Sequence, residues 1–375
     1  MSKSGYVVDS GVTKKIKKGY VVVNGVTRKI KKAYTVVDGK TKSTFSGSEG
    51  KFLLSGRGVN GYSNPGGGYT KSINSFYTKD VDNTSIDISS RIGYPESSNN
   101  FGAFFATDGK GRTVMALGNN IYYSDDLITW THCYDNTGVN PYVTYQYVKL
   151  KYLNGNYIAL LENFYVSFSS DGVSWSTFEI YDSSNAAMLR DVNFGNGRYV
   201  ITTGTTTIWS SKNLTTGWMG SYVYALDNYN SIYSLGFNPN DGMFIGYTNQ
   251  NDYLITSTDG MNWTIKYLEK EEIYSVGFKY VNGKLFYMAG YMFGYATTDS
   301  KTYTTINSLT VKDITYGDGV YLILCKDGTL YQVEEEYLMT FAKWIKISLD
   351  DVMANEPNTT YADYQFHNIY YIKTN

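Results

Sequence analysis

Apolar and polar positions along the chain alternate in short runs that break at Gly, Asn and Asp, the pattern of half-buried strands joined by tight turns. No stretch shows a clear 3.6-residue apolar period. The nearest, around 333–345, reads as a strand edge with a loop. Two superimposed repeats organise the pattern. At the N-terminus, residues 5–18 (GYVVDSGVTKKIKK) recur at 19–32 (GYVVVNGVTRKIKK), and a third, decaying copy starts at Ala33 (AYTVVDGKTK). Each copy predicts a two-stranded hairpin whose turn is Ser10-Gly11, Asn24-Gly25 or Asp38-Gly39. Asn-Gly and Asp-Gly favour a type I′ turn because both central residues need positive φ. Pairing Val23 with Val26 then sets the register of the second copy, and a hairpin this short needs a surface to dock on.

The second repeat fills the body. One half of the unit is a hairpin with a Gly-rich turn, as at Asn154-Gly155, Asn196-Gly197, Asp241-Gly242, Asn282-Gly283 and Asp318-Gly319. The other half is a strand, a Ser/Thr-Asp turn and an aromatic: Asp125 to Trp130, Asp171 to Trp175, a Ser210-Ser211 turn to Trp218, Asp259 to Trp263, and Asp299 to Tyr303. Trp344 closes the last unit, and successive aromatics are 45, 43, 45, 40 and 41 residues apart. Four short strands in a unit of that length predict an all-β chain folded as a β-propeller. Six units fit between about residues 101 and 344. Residues 75–87 read as an outer hairpin lacking an inner partner, and residues 361–373 as an inner hairpin lacking an outer one. Joining the two predicts a seventh blade that closes the ring and removes exposed sheet edges. Two domains are therefore expected: a hairpin-repeat attachment tail, 1–46, and a propeller, 47–375.

The N-terminal repeats resemble the N-termini of virion proteins of phages and phage-tail-like particles of Gram-positive bacteria. This resemblance covers residues 5–42. It implies attachment to other virion or tail proteins, with Tyr20, Val22, Asn24, Gly25, Arg28, Lys29 and Ile30 as the attachment residues of the second copy. Ser169-x-Asp171-Gly172-x-x-Trp175 and Ser257-x-Asp259-Gly260-x-x-Trp263 resemble the Asp-box of sialidases and other propellers, one residue short between Asp and Gly. In that family the motif is a structural turn between the outer strands of a blade, and the resemblance implies a folding role without activity.

Charge sharpens the division. Residues 1–46 carry 11 Lys/Arg and 2 Asp/Glu, whereas the remainder carries 22 and 32, so a basic arm is joined to an acidic body. Cationic repeats could also neutralise phosphates, but no base-reading module accompanies them, which disfavours a nucleic-acid partner. The two cysteines, Cys133 and Cys325, have no ligand company and read as small buried hydrophobes. No apolar segment follows the basic start, so no signal peptide is expected. The longest apolar runs, such as 321–325, are too short for a membrane helix. The expected setting is a particle assembled in a bacterial cytoplasm.

Chemistry is sparse. Sialidase-like hydrolysis would need a set of arginines around a Tyr nucleophile. Outside the tail there are Arg57, Arg91, Arg112, Arg190 and Arg198, of which Arg112 and Arg198 fall in Gly-rich turns. Arg91-Ile92-Gly93 lacks the proline of the family's Arg-Ile-Pro motif. His132 and His367 have no carboxylate neighbours at ligand spacing, and Asp80-Val81-Asp82-Asn83 is a loose calcium candidate that reads as a self-bonding turn. No cofactor, metal or catalytic residue is expected. With 39 Tyr, 17 Phe and 6 Trp, the propeller surface instead suits sugars or proteins. The sequence thus predicts a non-enzymatic particle protein that displays its propeller to host-surface glycans. The alternative is a bracing subunit of the virion or baseplate, and the third reading is a hydrolase.

Overall fold

The computed structural model describes the strands of 5–46 and residues 50–60, 70–77, 84–85, 103–135, 146–162, 164–180, 188–223, 232–248, 253–267, 277–289, 292–296, 304–347 and 361–372. The chain divides into two compact units, Lys51–Ile372 and Met1–Gly50 with Lys373–Asn375.

In the smaller unit, Gly5–Asp9 pairs antiparallel with Val12–Ile16, Tyr20–Val23 with Val26–Lys29, and Lys32–Val37 with Lys40–Ser46. The end pairs Asp9↔Val12, Val23↔Val26 and Val37↔Lys40 leave two residues between the strands, the register that the Gly-containing turns predict. The turn residues, and hence their type I′ geometry, lie outside the described residues, as does Ile30.

The larger unit is a β-propeller. Six antiparallel sheets of four consecutive strands form blades 1 to 6, spanning 104–135, 147–179, 189–222, 232–267, 277–307 and 311–347. Among the described residues there is no α-helix. The segment read as a strand edge with a loop is the strand Leu330–Glu334, two 3-10 turns and the edge strand Ile345–Ile347. Both faces of the inner strands are buried, so alternate side chains enter the layers on either side and the core is a series of sheet-to-sheet layers rather than one centre. Ile158, Leu160 and Val166 of blade 2 meet Val192, Tyr199 and Ile201 of blade 3, for example.

The ends of the chain meet in a further four-stranded sheet, ordered Tyr361–Ile372, Lys51–Asn60, Thr70–Tyr77, Thr84–Ser85. This corrects the predicted division of the terminal strands. The C-terminal segment is one strand of 12 residues, not a hairpin, and the N-terminal part supplies three strands because Lys51–Asn60 precedes the predicted outer pair. The segment YADYQFHNIYYI holds no Gly to turn on, so the chain passes Phe366–Asn368 as a register shift within one ladder. Phe52, Leu54 and Ile369 pack on Leu322, Leu324 and Leu330 of blade 6, and Leu53 and Ile372 pack with Phe105 and Met115 of blade 1.

Candidate functional site

The predicted motif residues are folding devices, and their hydrogen bonds show how. In blade 2, Ser169 Oγ accepts from the Gly172 amide at 2.8 Å, and Asp171 Oδ1 accepts from the Val173 and Ser174 amides at 2.8 Å each. Blade 4 repeats this with Ser257 and Asp259 on the amides of Gly260, Met261 and Asn262. The turn needs a left-handed residue after the Asp, and Gly172 (φ 76°) and Gly260 (φ 69°) supply it. The amides of Ser174 and Val173 hold the Asp171 carboxyl down to about 2 against the opposing effect of burial. For Asp259, burial would raise the pKa, but the Asn262 and Met261 amides outweigh it and the carboxyl is lowered.

Blade 1 corrects the prediction. Asp126, not Asp125, accepts from the Ile128 and Thr129 amides, while Leu127 takes the left-handed position at φ 63°. The motif counts from the serine, and Ser124-x-Asp126 keeps the Ser-x-Asp spacing that Asp125 breaks. Asp125 instead receives Arg112 Nε and Nη2 at 2.8 and 2.9 Å, while Arg112 Nη1 donates to the Asp171 carbonyl of blade 2 at 2.8 Å. Arg112 is therefore a clasp between blades, a role that its place in a Gly-rich turn did not reveal. In blade 3, Asn213 takes the Asp position, its Oδ1 accepting from the Thr215 amide. Asp299 and Tyr303 lie outside the described residues.

The motif tryptophans face neighbouring blades. Trp175 stacks on Tyr134 of blade 1 (6.5 Å, 25°), Trp218 on Phe178 of blade 2 (6.3 Å, 23°), and Trp344 meets Phe293 of blade 5 edge-on at 6.2 Å. Trp130 meets Phe105 of its own blade at 5.7 Å and packs on the cluster that holds Leu53 and Ile372, and Trp263 packs into the layer between blades 3 and 4.

Where Trp175 meets Tyr134, the outer strands of blades 1 and 2 open a shallow groove of about 730 Å³. Tyr134, Tyr165 and Trp175 give it aromatic walls, and the exposed carboxylates of Asp135 and Glu179 stand beside them. A chain of hydroxyls fixes the platform: Tyr134 to Thr177 (2.7 Å), Thr177 to Ser167 (2.7 Å), and Ser167 to the buried Tyr147 (3.2 Å). Flat aromatic faces beside carboxylate acceptors match the apolar faces and hydroxyl edges of a sugar ring. The arrangement offers an aromatic binding surface edged by acceptors.

A second cavity, of about 360 Å³, is lined by the first strands of blades 1 to 6, with Met288, and by Asn368 and Tyr370 of the C-terminal strand. Lys149, Lys151, Lys279, Lys312, Asp191 and Asp313 are its charged residues among those described. Lys151 Nζ lies 2.6 Å from Asp191, and Lys279 Nζ lies 2.8 Å from Asp313.

No protein-family model matches the chain, and no curated protein matches it in sequence. Solved structures do. YCF48, solved with a D1 peptide, is similar at TM-score 0.51 and 13 % identity over 80 % of this chain and 97 % of that one. A catalytically inactive virginiamycin B lyase from Staphylococcus aureus, solved with quinupristin, is similar at TM-score 0.51 and 14 % identity, covering 66 % of this chain and 83 % of the lyase. These likenesses show the propeller fold alone.

Of the other predicted residues, Tyr20, Val22, Arg28 and Lys29 lie on the second hairpin, and Asn24 and Gly25 fall outside the described residues. His132 Nε2 is 3.1 Å from Asn120 Oδ1, and His367 falls in the strand Tyr361–Ile372. The Asp80–Asn83 segment and Arg91 lie outside the described residues. Both cysteines are free thiols, and burial pushes Cys133 up to about 11 and Cys325 up to about 12. Among the described residues no three His, Cys, Asp or Glu side chains come together as metal ligands.

Proposed function

We propose that this chain is a non-enzymatic structural protein of a phage or phage-tail-like particle, anchored through its N-terminal hairpin repeats and presenting its propeller outward to host-surface glycans. The observation that carries this reading is the division of the chain. Strictly repeated basic hairpins precede an acidic propeller with an aromatic, carboxylate-edged groove on its outer strands. Three linked copies of a weak docking unit raise avidity without any one being strong.

We also propose that the sheet joining the chain ends is a seventh blade. Two repeated contacts support this. Asp191 of blade 3 accepts from the Leu235 amide of blade 4, and Asp313 of blade 6 accepts from Ile369 in the same way. Phe237 covers Gly195 as Tyr371 covers Gly317.

The anchoring role is tested by deleting residues 5–44 and measuring incorporation into purified particles. The truncated protein should be absent from particles while the propeller stays folded. Incorporation at normal copy number would overturn the role of the repeats.

A further inference from the structure

The central cavity carries more positive than negative charge: four lysines face two aspartates among its described lining residues. Both aspartates are bound into the wall. Asp191 Oδ1 takes the Val192 amide and Lys151, and its Oδ2 takes the Leu235 amide. Asp313 Oδ1 takes the Ile314 amide and Lys279, and its Oδ2 takes the Ile369 amide. These carboxylates hold neighbouring sheets together and have little acceptor capacity left for a ligand cation.

The ammonium groups are differently placed. Lys151 also donates to the Val192 carbonyl at 2.9 Å, and Lys279 to the Ile369 carbonyl at 3.1 Å, so each has a third proton beyond these two bonds. Lys149 reaches Asp191 only at 3.7 Å, an ion pair beyond hydrogen-bonding distance. Asp191 thus faces two ammonium groups, Lys151 at 2.6 Å and Lys149 at 3.7 Å, a local excess of positive charge that an anion would relieve. The strain registers at Lys151, whose ammonium burial pulls down to about 8 although Asp191 opposes the shift, with Lys149 adding repulsion.

We propose that the central cavity binds a small molecule bearing a carboxylate or phosphate group, held by Lys149, Lys151 and Lys279. The anion would accept the remaining ammonium protons, and its body would lie against Phe104, Phe278 and Tyr370, which share the lining. The volume is at the small end of ligand sites, which favours a metabolite-sized occupant over a polymer. This proposal is independent of the outer groove and of the particle role.

The test is calorimetric titration of the full-length chain with inorganic phosphate and, separately, with citrate. Saturable binding of at least one probe is expected, and the better probe identifies the preferred anion chemistry. Lys149→Gln leaves the Lys151–Asp191 pair in place and should weaken binding by about tenfold or more. Lys346→Gln, on the exposed outer strand of blade 6, should leave it unchanged. Absence of saturable binding to either probe at millimolar concentration would overturn the proposal. So would binding that Lys149→Gln leaves intact, or that Lys346→Gln weakens equally.

Discussion

Asp126 and Asp125 are adjacent, similarly charged and both engaged, yet they do different work. Asp126 satisfies two turn amides, with a lowered pKa caused first by the Thr129 amide. Replacing it with Ala leaves those donors to water and should cost about 1–3 kcal/mol. Asp125 forms an exposed pair with Arg112, so its Ala variant should cost less than about 1 kcal/mol. Chemical denaturation of the two variants checks the order, and a larger loss from Asp125→Ala would contradict the assignment. The same carboxylates set an acid limit. The folded pKa of Asp171, about 2, lies below the unfolded value of roughly 4. Its contribution is therefore present above about pH 4 and lost as the pH falls towards 2, with Asp259 and Asp126 acting in the same sense. Thermal melts across that window should fall more steeply for the wild type than for Asp171→Asn. The motif itself was legible because Ser-x-Asp and the following aromatic are local. Arg112 to Asp171 and Lys151 to Asp191 were not, because each pair joins different blades and no local spacing specifies which turn faces which.

At the level of the element, the strand Tyr361–Ile372 reproduces the contacts of a regular inner strand. Its Ile369 amide meets Asp313, and its Tyr371 ring lies over Gly317 and donates its hydroxyl to Asp318 at 2.8 Å. A Cβ at residue 317 would collide with that ring, so Gly317→Ala should detach the strand or force Tyr371 aside. Deleting 361–375 would expose the edge of Lys51–Asn60 and the apolar faces of Phe52 and Leu54. Both changes should lower cooperativity in denaturant unfolding, and the deletion should also aggregate. A deletion variant that unfolds as the wild type does and stays monomeric would rule out closure by this strand. The sequence showed that the two ends complete one sheet but divided the strands wrongly. His367-Asn368 can serve as a turn or as a bulge, and pairing with residues 51–60, which no periodicity reveals, selects the bulge.

For the whole molecule, repeat length made the propeller legible, since a 40–45-residue period leaves few other all-β solutions. The outer groove was not legible, because Tyr134 and Trp175 become one surface only when blades 1 and 2 stand side by side. The central claim is that this surface receives host glycans without cleaving them. The most direct measurement is binding of the full-length chain to purified host cell-wall polysaccharide, with released sugars monitored in parallel. The account predicts saturable binding at micromolar protein without sugar release. Trp175→Ala should weaken binding roughly tenfold or more through loss of the stacking face. Asp135→Asn with Glu179→Gln, which keeps the aromatic packing, should also weaken it. Absence of binding, or binding that both variants leave unchanged, would contradict the account, and release of sugars would replace it with hydrolysis.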